Sequence, residues 1–508
     1  MLTGASVLTR RAMLLYFGVL IGAGVFFFFK ERKDANQQNY FLGGRSMGPW
    51  VTAMSAQASD MSAWLLMGLP GSILAFGFGQ MWIGIGLALG TAANWIFVAK
   101  RLRQFSHAAG DAITIPQYLG NRFLTKSNTL QVICAVIFFI AFSIYVASAY
   151  VAGASVFTTI FPQISTQTAM IIFAIAMLIL TFFGGFKAVC WTDFFQGILM
   201  FAALLAVPII VVATQNMDTA ALAAVYSYQD AVSGEMVECA FGTGIFDASW
   251  QEIVSGLAWG LGYFGMPHIL VRFMSIEKPS MVKPAATVAI IWVVVTLGCA
   301  CLIAYFGRML LAEELLTAGA QKMVFIEFAR DLFPTFLAGV LMAAIIAASM
   351  STADSQLLVA SSSFTSDIYK PIIRKEASET EVLWVGRLVV VIVAVIAFFI
   401  ASSKGEGAQA IMNLVENAWA TFGSAFGPVI LLSLFWRRFT YKGAIAGVLG
   451  GAIVDILWLI FLSSSTGIYE LFPGFIAGFV CAVIGTVTDK EPHAEVLELY
   501  DRALANEE

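Results

Sequence analysis

The sequence predicts an all-α polytopic membrane protein, and three observations lead there. Apolar runs of twenty or more residues recur along the 508-residue chain, where about 20 suffice for one helical span. Charged residues make up 12% of it and hydrophobic ones 59%, with a mean hydropathy of +0.85. Soluble domains carry about 25% charged residues. Two of the apolar segments are also interrupted by glycine and proline, one at Gly68-Leu-Pro-Gly71 and one within Trp259-Gly-Leu-Gly-Tyr-Phe-Gly-Met-Pro-His268.

About thirteen helices are expected, over 11–30, 46–76, 79–100, 128–161, 166–184, 188–214, 247–274, 282–307, 323–368, 382–403, 408–436, 440–464 and 469–488. Several exceed one perpendicular span, which predicts tilt, kinks or extension past the membrane. The first follows Thr9-Arg-Arg-Ala-Met-Leu-Leu15, superficially a twin-arginine signal. Its apolar run is long, however, and Lys30-Glu-Arg-Lys33 follows it where a small-residue cleavage site would stand, so a retained span is expected. Segment 215–246 has no Lys or Arg and several acids, which suits an external loop. The tail 489–508 reads as an acidic, solvated cytoplasmic end. With the N-terminus outside and the C-terminus inside, 22 of the 28 Lys and Arg fall on the cytoplasmic side, as the positive-inside rule requires.

Composition also sets exclusions. No basic stripe or zinc spacing points to nucleic acid. Six cysteines show no framework spacing, and five lie in apolar segments as small hydrophobes. Three histidines are too few for a multi-metal redox subunit. No catalytic domain and no obligate protein partner are evident, so the expected partners are the lipid bilayer and a small solute, and an enzyme is not expected.

The two interruptions carry the candidate chemistry. Asp60, between Ser59 and Ser62, lies in a segment long enough to span. A carboxylate at mid-membrane depth costs roughly 2.5–3.5 kcal/mol, so it normally faces a cavity and acts there. The Gly and Pro that follow predict a broken helix with freed carbonyls. The second broken helix begins five spans later and therefore runs the opposite way, which is the pattern of an inverted-repeat transporter with its site at the repeat interface. In the ninth helix, Ala348, Ser351 and Thr352 share a face at i, i+3, i+4. Two hydroxyls and a carbonyl there suit a hard cation, although such hydroxyls also bond back to their own helix. Trp259, Tyr263 and Pro267 recur every four residues, as an aromatic solute wall or as plain packing. Asp193 is expected near a cytoplasmic helix start, where a helix N-terminus alone would favour it. Asp354 either guides a cation inward or meets interfacial water, and Glu416 and Asp455 have no assigned role.

At Leu42-Gly-Gly-Arg-Ser-Met-Gly-Pro49, Ser55 through Gly71, Gly184-Gly-Phe-Lys-Ala-Val-Cys-Trp-Thr-Asp193, Gly260 to Met274, Met350 to Lys370 and Ala418-Trp-Ala-Thr-Phe-Gly-Ser-Ala-Phe-Gly-Pro428, the chain resembles the sodium:solute symporter family, and within it the sodium/proline symporters. The motifs stand in the family's order over essentially the whole length. The resemblance implies a LeuT-type core of two inverted five-helix repeats, 46–214 and 247–436. Residues 1–45 would precede it with one helix, 215–246 would be the external loop, and 437–488 would add two helices before the tail. It implies sodium-coupled alternating access in the cell membrane. It places sodium on the carbonyls of Ala58, Met61 and Ala348 and the hydroxyls of Ser351 and Thr352, with Asp60 and Asp193 as supporting acids. Proline would meet Ser62, Trp64, Tyr145, Trp259, Tyr263 and Pro267. Three positions depart from the pattern: Met266 in place of Gln, Ala63 in place of Gly, and Asp354 in place of a neutral residue. Met266 bears on which solute is taken. Another small solute and a proton-coupled cycle stand as alternatives.

Overall fold

A computed structural model describes residues 7–31, 36–230, 234–404 and 410–505. Arg32 and Lys33 of the charge count, and 231–233 of the external loop, lie outside the described residues. The chain is almost entirely helical. Helix α1 is Val7–Glu31. The first interrupted span is α2, Pro49–Met61, followed after a short 3-10 turn by α3, Gly68–Phe76. Next come α4 (Phe78–Ala108), α5 (Thr129–Ile160) and α6 (Thr166–Thr214). The second interrupted span is α7, Trp250–Ala258, which tightens into a 3-10 segment over Trp259–Phe264, and α8, Pro267–Ser275, bent by 43° against it. Then follow α9 (Val282–Leu310), α10 (Thr335–Ile373), α11 (Glu379–Ser403), α12 (Ile411–Phe435), α13 (Tyr441–Phe461) and α14 (Leu471–Val487).

Among the described residues, eight helices are long and apolar enough to cross a membrane, nine if the bent pair α7–α8 counts as one span. One of them, α6, joins the segments expected over 166–184 and 188–214 into a single run of 49 residues. At about 1.5 Å per residue it is over twice the ~30 Å hydrocarbon thickness. Its direction changes at Gly185, where φ is +64° and ψ −173°. A Cβ there would lie 2.9 Å from the Tyr40 ring, so the position needs glycine twice over.

Burial sorts the helices into an inner and an outer layer. Of the most apolar stretch of α10 and of α12, 83% is buried, against 33% for α13. α2 packs on α6, α8, α9 and α10, at the centre. Paired glycines bring the second interrupted helix close to α4: a Cβ on Gly86 would lie 2.3 Å from the Gly256 carbonyl, and one on Gly90 2.3 Å from that of Gly260. Both pairs are spaced i, i+4, the small-residue pattern that lets membrane helices touch backbone to backbone.

The connections depart from expectation. Segment 215–246, expected to be external, holds an antiparallel hairpin, β1 (Tyr226–Gln229) on β2 (Met236–Cys239), with Tyr226 opposite Cys239. Cys239 is buried beneath it. Arg308, expected to be a loop charge, is fully buried and donates to the carbonyls of Leu74, Ala224 and Cys239, fastening the hairpin over the end of α3. The tail is not simply solvated. It forms α15, Ala494–Ala505, whose Val496, Leu499, Tyr500 and Ala503 are buried. Tyr500 donates to the Leu434 carbonyl at 3.2 Å, and its ring lies 4.9 Å from the buried Arg122 guanidinium. The spacing i, i+3, i+4, i+7 is an amphipathic stripe.

Candidate cation and solute site

The site forms where α2 stops. Ser62 adopts φ +48° and ψ −171°, an uncommon conformation for a residue with a Cβ. Its hydroxyl accepts the Trp64 N–H at 3.1 Å, and Gly68 leaves room for the Trp64 ring, which a Cβ would meet at 2.7 Å. A helix end leaves its last four carbonyls without intrahelical donors, here those of Ala58, Ser59, Asp60 and Met61. α10 and α8 supply donors from elsewhere in the fold. Ser351 Oγ donates to the Ala58 carbonyl at 2.8 Å and lies 3.1 Å from that of Ala348. Thr352 Oγ1 bonds back to Ala348 at 3.1 Å. His268 Nε2 is 3.2 Å from the Ser59 carbonyl. Ala58, Ala348, Ser351 and Thr352 therefore meet at one place, with Met61 closing the same helix end. Their oxygens are neutral and hard, a donor set for an alkali or similar cation. Among the described residues, no three His, Cys, Asp or Glu side chains converge as a metal site.

Asp60 stands beside this cluster as a hydrogen-bond acceptor. Tyr263 Oη donates to its Oδ2 at 2.5 Å, joining the two interrupted helices. The pair borders a narrow, nearly closed cleft lined also by Met61, Trp64, Tyr145 and Trp259. Leu87, Val415 and Trp419 complete the lining; no local spacing distinguishes them from other apolar helix positions. Ser62, Met266 and Pro267 do not line it. The four-residue spacing assumed one helix through Pro267, but the 3-10 segment ends at Phe264 and Met266 is extended (φ −76°, ψ 107°). Pro267 instead starts α8, where its missing N–H costs nothing. Met266 is fully buried in the bend.

Asp193 is not at a helix start. It lies within the second half of α6 and pairs with Arg272 of α8, Oδ2 to Nη2, at 3.1 Å. Ser55 donates to the same oxygen at 2.7 Å and accepts from Arg272 Nε at 3.1 Å. Arg272 also donates to Ser355 and, at 2.6 Å, to the His268 carbonyl. Ser55 precedes Ala58 by three positions, and Ser355 follows Thr352 by three, so this buried ion pair sits about one helical turn from the oxygen cluster. In the sequence, Arg272 reads only as one of the 22 cytoplasmic charges. Its i+4 spacing from His268 inside an apolar segment was the available signal. Asp354 is buried and accepts from Thr181 Oγ1 at 2.6 Å. Asp455 accepts from Thr421 and Ser424, both at 3.1 Å, tying α13 to α12. Glu416 lines a second, open vestibule together with Ser255 and Trp259, on the side expected to face outward.

Two interrupted helices meeting at a buried oxygen cluster and an aromatic cleft define a secondary transporter. The comparisons then supply the family. The sodium:solute symporter family pattern matches residues 40–451, and the chain belongs to that family. It is 41% identical to the sodium/proline symporter of Escherichia coli (strain K12), covering 97% of this chain and 96% of that protein. It is 40% identical to the high-affinity proline transporter PutP of Bacillus subtilis (strain 168), over 93% and 97% of the two chains. The fold resembles that of a Na+-coupled sialic acid symporter solved in a substrate-bound outward-open state, with a TM-score of 0.71 at 18% identity, covering 96% of this chain and 99% of that one. A nucleobase-cation-symport-1 family transporter in a closed conformation matches with a TM-score of 0.53 at 13% identity, over 91% and 98%. The protein is thus a multi-pass membrane transporter of LeuT-like fold, not an enzyme.

Proposed function

We propose that this chain imports L-proline together with sodium by alternating access. The observation that carries the coupling is the Ser351 hydroxyl bonded to the Ala58 carbonyl, which joins α10 to the free end of the first interrupted helix. Sodium binds between them, on the carbonyls of Ala58, Met61 and Ala348 and the hydroxyls of Ser351 and Thr352. It holds the break in a shape competent for solute. Asp60 supplies negative charge and organises the break through Tyr263, and Asp193 acts one turn away through Arg272. Proline lies against Trp64, Tyr145, Trp259 and Tyr263, its carboxylate toward exposed amides or hydroxyls at the break near Ser62. Each ligand then raises the affinity of the other by the same factor. One positive charge entering per cycle gains about 2.3 kcal/mol per 100 mV. The solute assignment is supported by the full-length likeness to proteins named as proline transporters.

The reading includes topology. Residues 46–214 and 247–436 are the inverted repeats, preceded by 1–45, separated by the external segment 215–246, and followed by 437–488 and the cytoplasmic tail 489–508. Counting α2–α3 and α7–α8 as one span each, and α6 as two spans joined at Gly185, gives thirteen, with the N-terminus outside.

Uptake of labelled proline by reconstituted protein tests this. Sodium replacement by choline at fixed pH is expected to abolish it, and sodium-independent uptake would sink the proposal. Thr352→Ala should raise the sodium concentration for half-maximal uptake about 10-fold, the equivalent of one lost ligand worth about 1.4 kcal/mol. Competition by a solute panel, repeated with Met266→Gln, decides between proline and a related solute.

A further inference from the structure

Among the described residues, Trp259 is the one that lines both the inner cleft and the outer vestibule, so its ring is the partition between them. Three rings stack on it: Trp64 with centroids 5.5 Å apart, Trp419 at 6.3 Å and Tyr469 at 5.3 Å, with interplanar angles of 26°, 27° and 26°. The first two belong to the helices that carry the site. Tyr469 does not. It lies in the connection between α13 and α14, beyond residue 436.

Tyr469 is held from both sides of the entrance. Its backbone N–H donates to Ser255 Oγ at 3.0 Å, and its hydroxyl donates to the Glu416 carbonyl at 2.7 Å. Ser255 lies one turn before Trp259 on α7, and Glu416 lies three residues before Trp419 on α12. The Trp419 indole N–H in turn donates to the Trp259 carbonyl at 2.8 Å. The Trp458 indole fixes the neighbouring Ile468 carbonyl at 3.0 Å. The ring itself is buried. This one residue, through its backbone N–H and its hydroxyl, therefore ties α7 and α12 together at the level of the partition.

We propose that Tyr469 is a positioning residue of the outer entrance. It holds the Trp259 ring across the passage, and solute from outside reaches the cleft when this clasp releases. The direction of travel rests on the import reading above; the clasp itself does not. The test places a cysteine at Val415, on the inner cleft, and measures its reaction with a membrane-impermeant charged thiol reagent added outside intact cells, relative to the chain without the added cysteine. Tyr469→Ala removes the ring contact and the hydroxyl bond, and should raise the labelling rate about 10-fold or more. Tyr469→Phe removes the hydroxyl bond alone, and should raise it about 3-fold. A cysteine at Val225, exposed on the external segment, should label at an unchanged rate. An unchanged rate at Val415 in both variants overturns the proposal, and so does an equal rise at Val225, which would mean general loosening. Should Tyr469→Ala fail to reach the membrane, Tyr469→Phe and Ser255→Ala decide by the same comparison. Absence of sodium-dependent proline uptake by the parent chain would overturn the import reading and leave the labelling result standing.

Discussion

Arg272 and Asp193 show how one contact changes the meaning of two residues. Each alone is a charge in an apolar segment, and each would be costly there. Together, with Ser55 and Ser355, they offset one another's charge at nearly complete burial through Asp193 Oδ2, while Asp193 Oδ1 has no hydrogen-bond partner. Removing one partner of a buried pair leaves the other uncompensated and costs about 3–5 kcal/mol. Asp193→Ala is therefore expected to lower the unfolding midpoint in detergent steeply, and Asp193→Ala combined with Arg272→Met should recover part of the loss. A double variant as unstable as the sum of the two single losses would show that the pair is not coupled. Asp60 differs in kind. Its carboxylate accepts from the Tyr263 hydroxyl, so Tyr263→Phe removes a bond between the two interrupted helices while keeping the ring. A fall in apparent proline affinity of roughly 3- to 10-fold is expected in uptake assays, with the amount of protein in the membrane unchanged.

At the scale of the helix, glycine decides how closely the interrupted spans approach their neighbours. A Cβ on Gly262 would lie 2.0 Å from the Trp419 indole nitrogen, and one on Gly90 2.3 Å from the Gly260 carbonyl. No rotamer relieves a clash with a backbone carbonyl. Gly90→Ala and Gly262→Ala should each cost about 1–3 kcal/mol through overpacking and reduce the folded protein recovered. Gly298 of α9 is the control, since a Cβ there meets nothing within 4 Å. Gly298→Ala should be neutral or stabilise the helix by up to about 1 kcal/mol. Thermal denaturation of the three purified variants separates a packing effect from a general intolerance of alanine.

Over the whole molecule, the inner helices carry the site and peripheral parts fasten them. The hairpin fixed by Arg308 covers the end of α3, the α13–α14 pair is tied to α12 through Asp455, and α15 lies against α4 and the end of α12. Arg122 is fully buried, and α15 gives it the Tyr500 ring and the Val496 carbonyl, the latter at 3.4 Å. Ending the chain before Asp489 should therefore lower the unfolding midpoint by several degrees. Sodium-dependent uptake should persist, because α15 touches none of the proposed site residues. Loss of uptake with an unchanged midpoint would instead place the tail in the transport cycle.

Much of this was legible in the chain. Apolar runs of bilayer length specify spanning helices because lipid offers backbone groups no partners. Gly and Pro beside Asp60 mark a break for the same reason: an interruption at that depth needs a cavity or a neighbour. The i, i+3, i+4 spacing of Ala348, Ser351 and Thr352 places three oxygens together on any helix. The stripe of α15 is equally legible, although the acidic composition around it points to a solvated tail. Other features depend on which face of a helix meets which neighbour, and in a membrane that face is not marked by polarity, since lipid and protein interior are both apolar. Trp419, Val415 and Leu87 therefore look like lipid-facing residues until α4 and α12 are packed. Arg272 looks like a cytoplasmic charge at a helix end until Asp193 stands opposite, and Pro267 shares a face with Tyr263 until the backbone turns at Met266. Local chemistry settles where a chain must span and where it must break; long-range packing settles what each break is opposed to, because partners 138 and 293 residues apart are joined by contacts that no local spacing encodes.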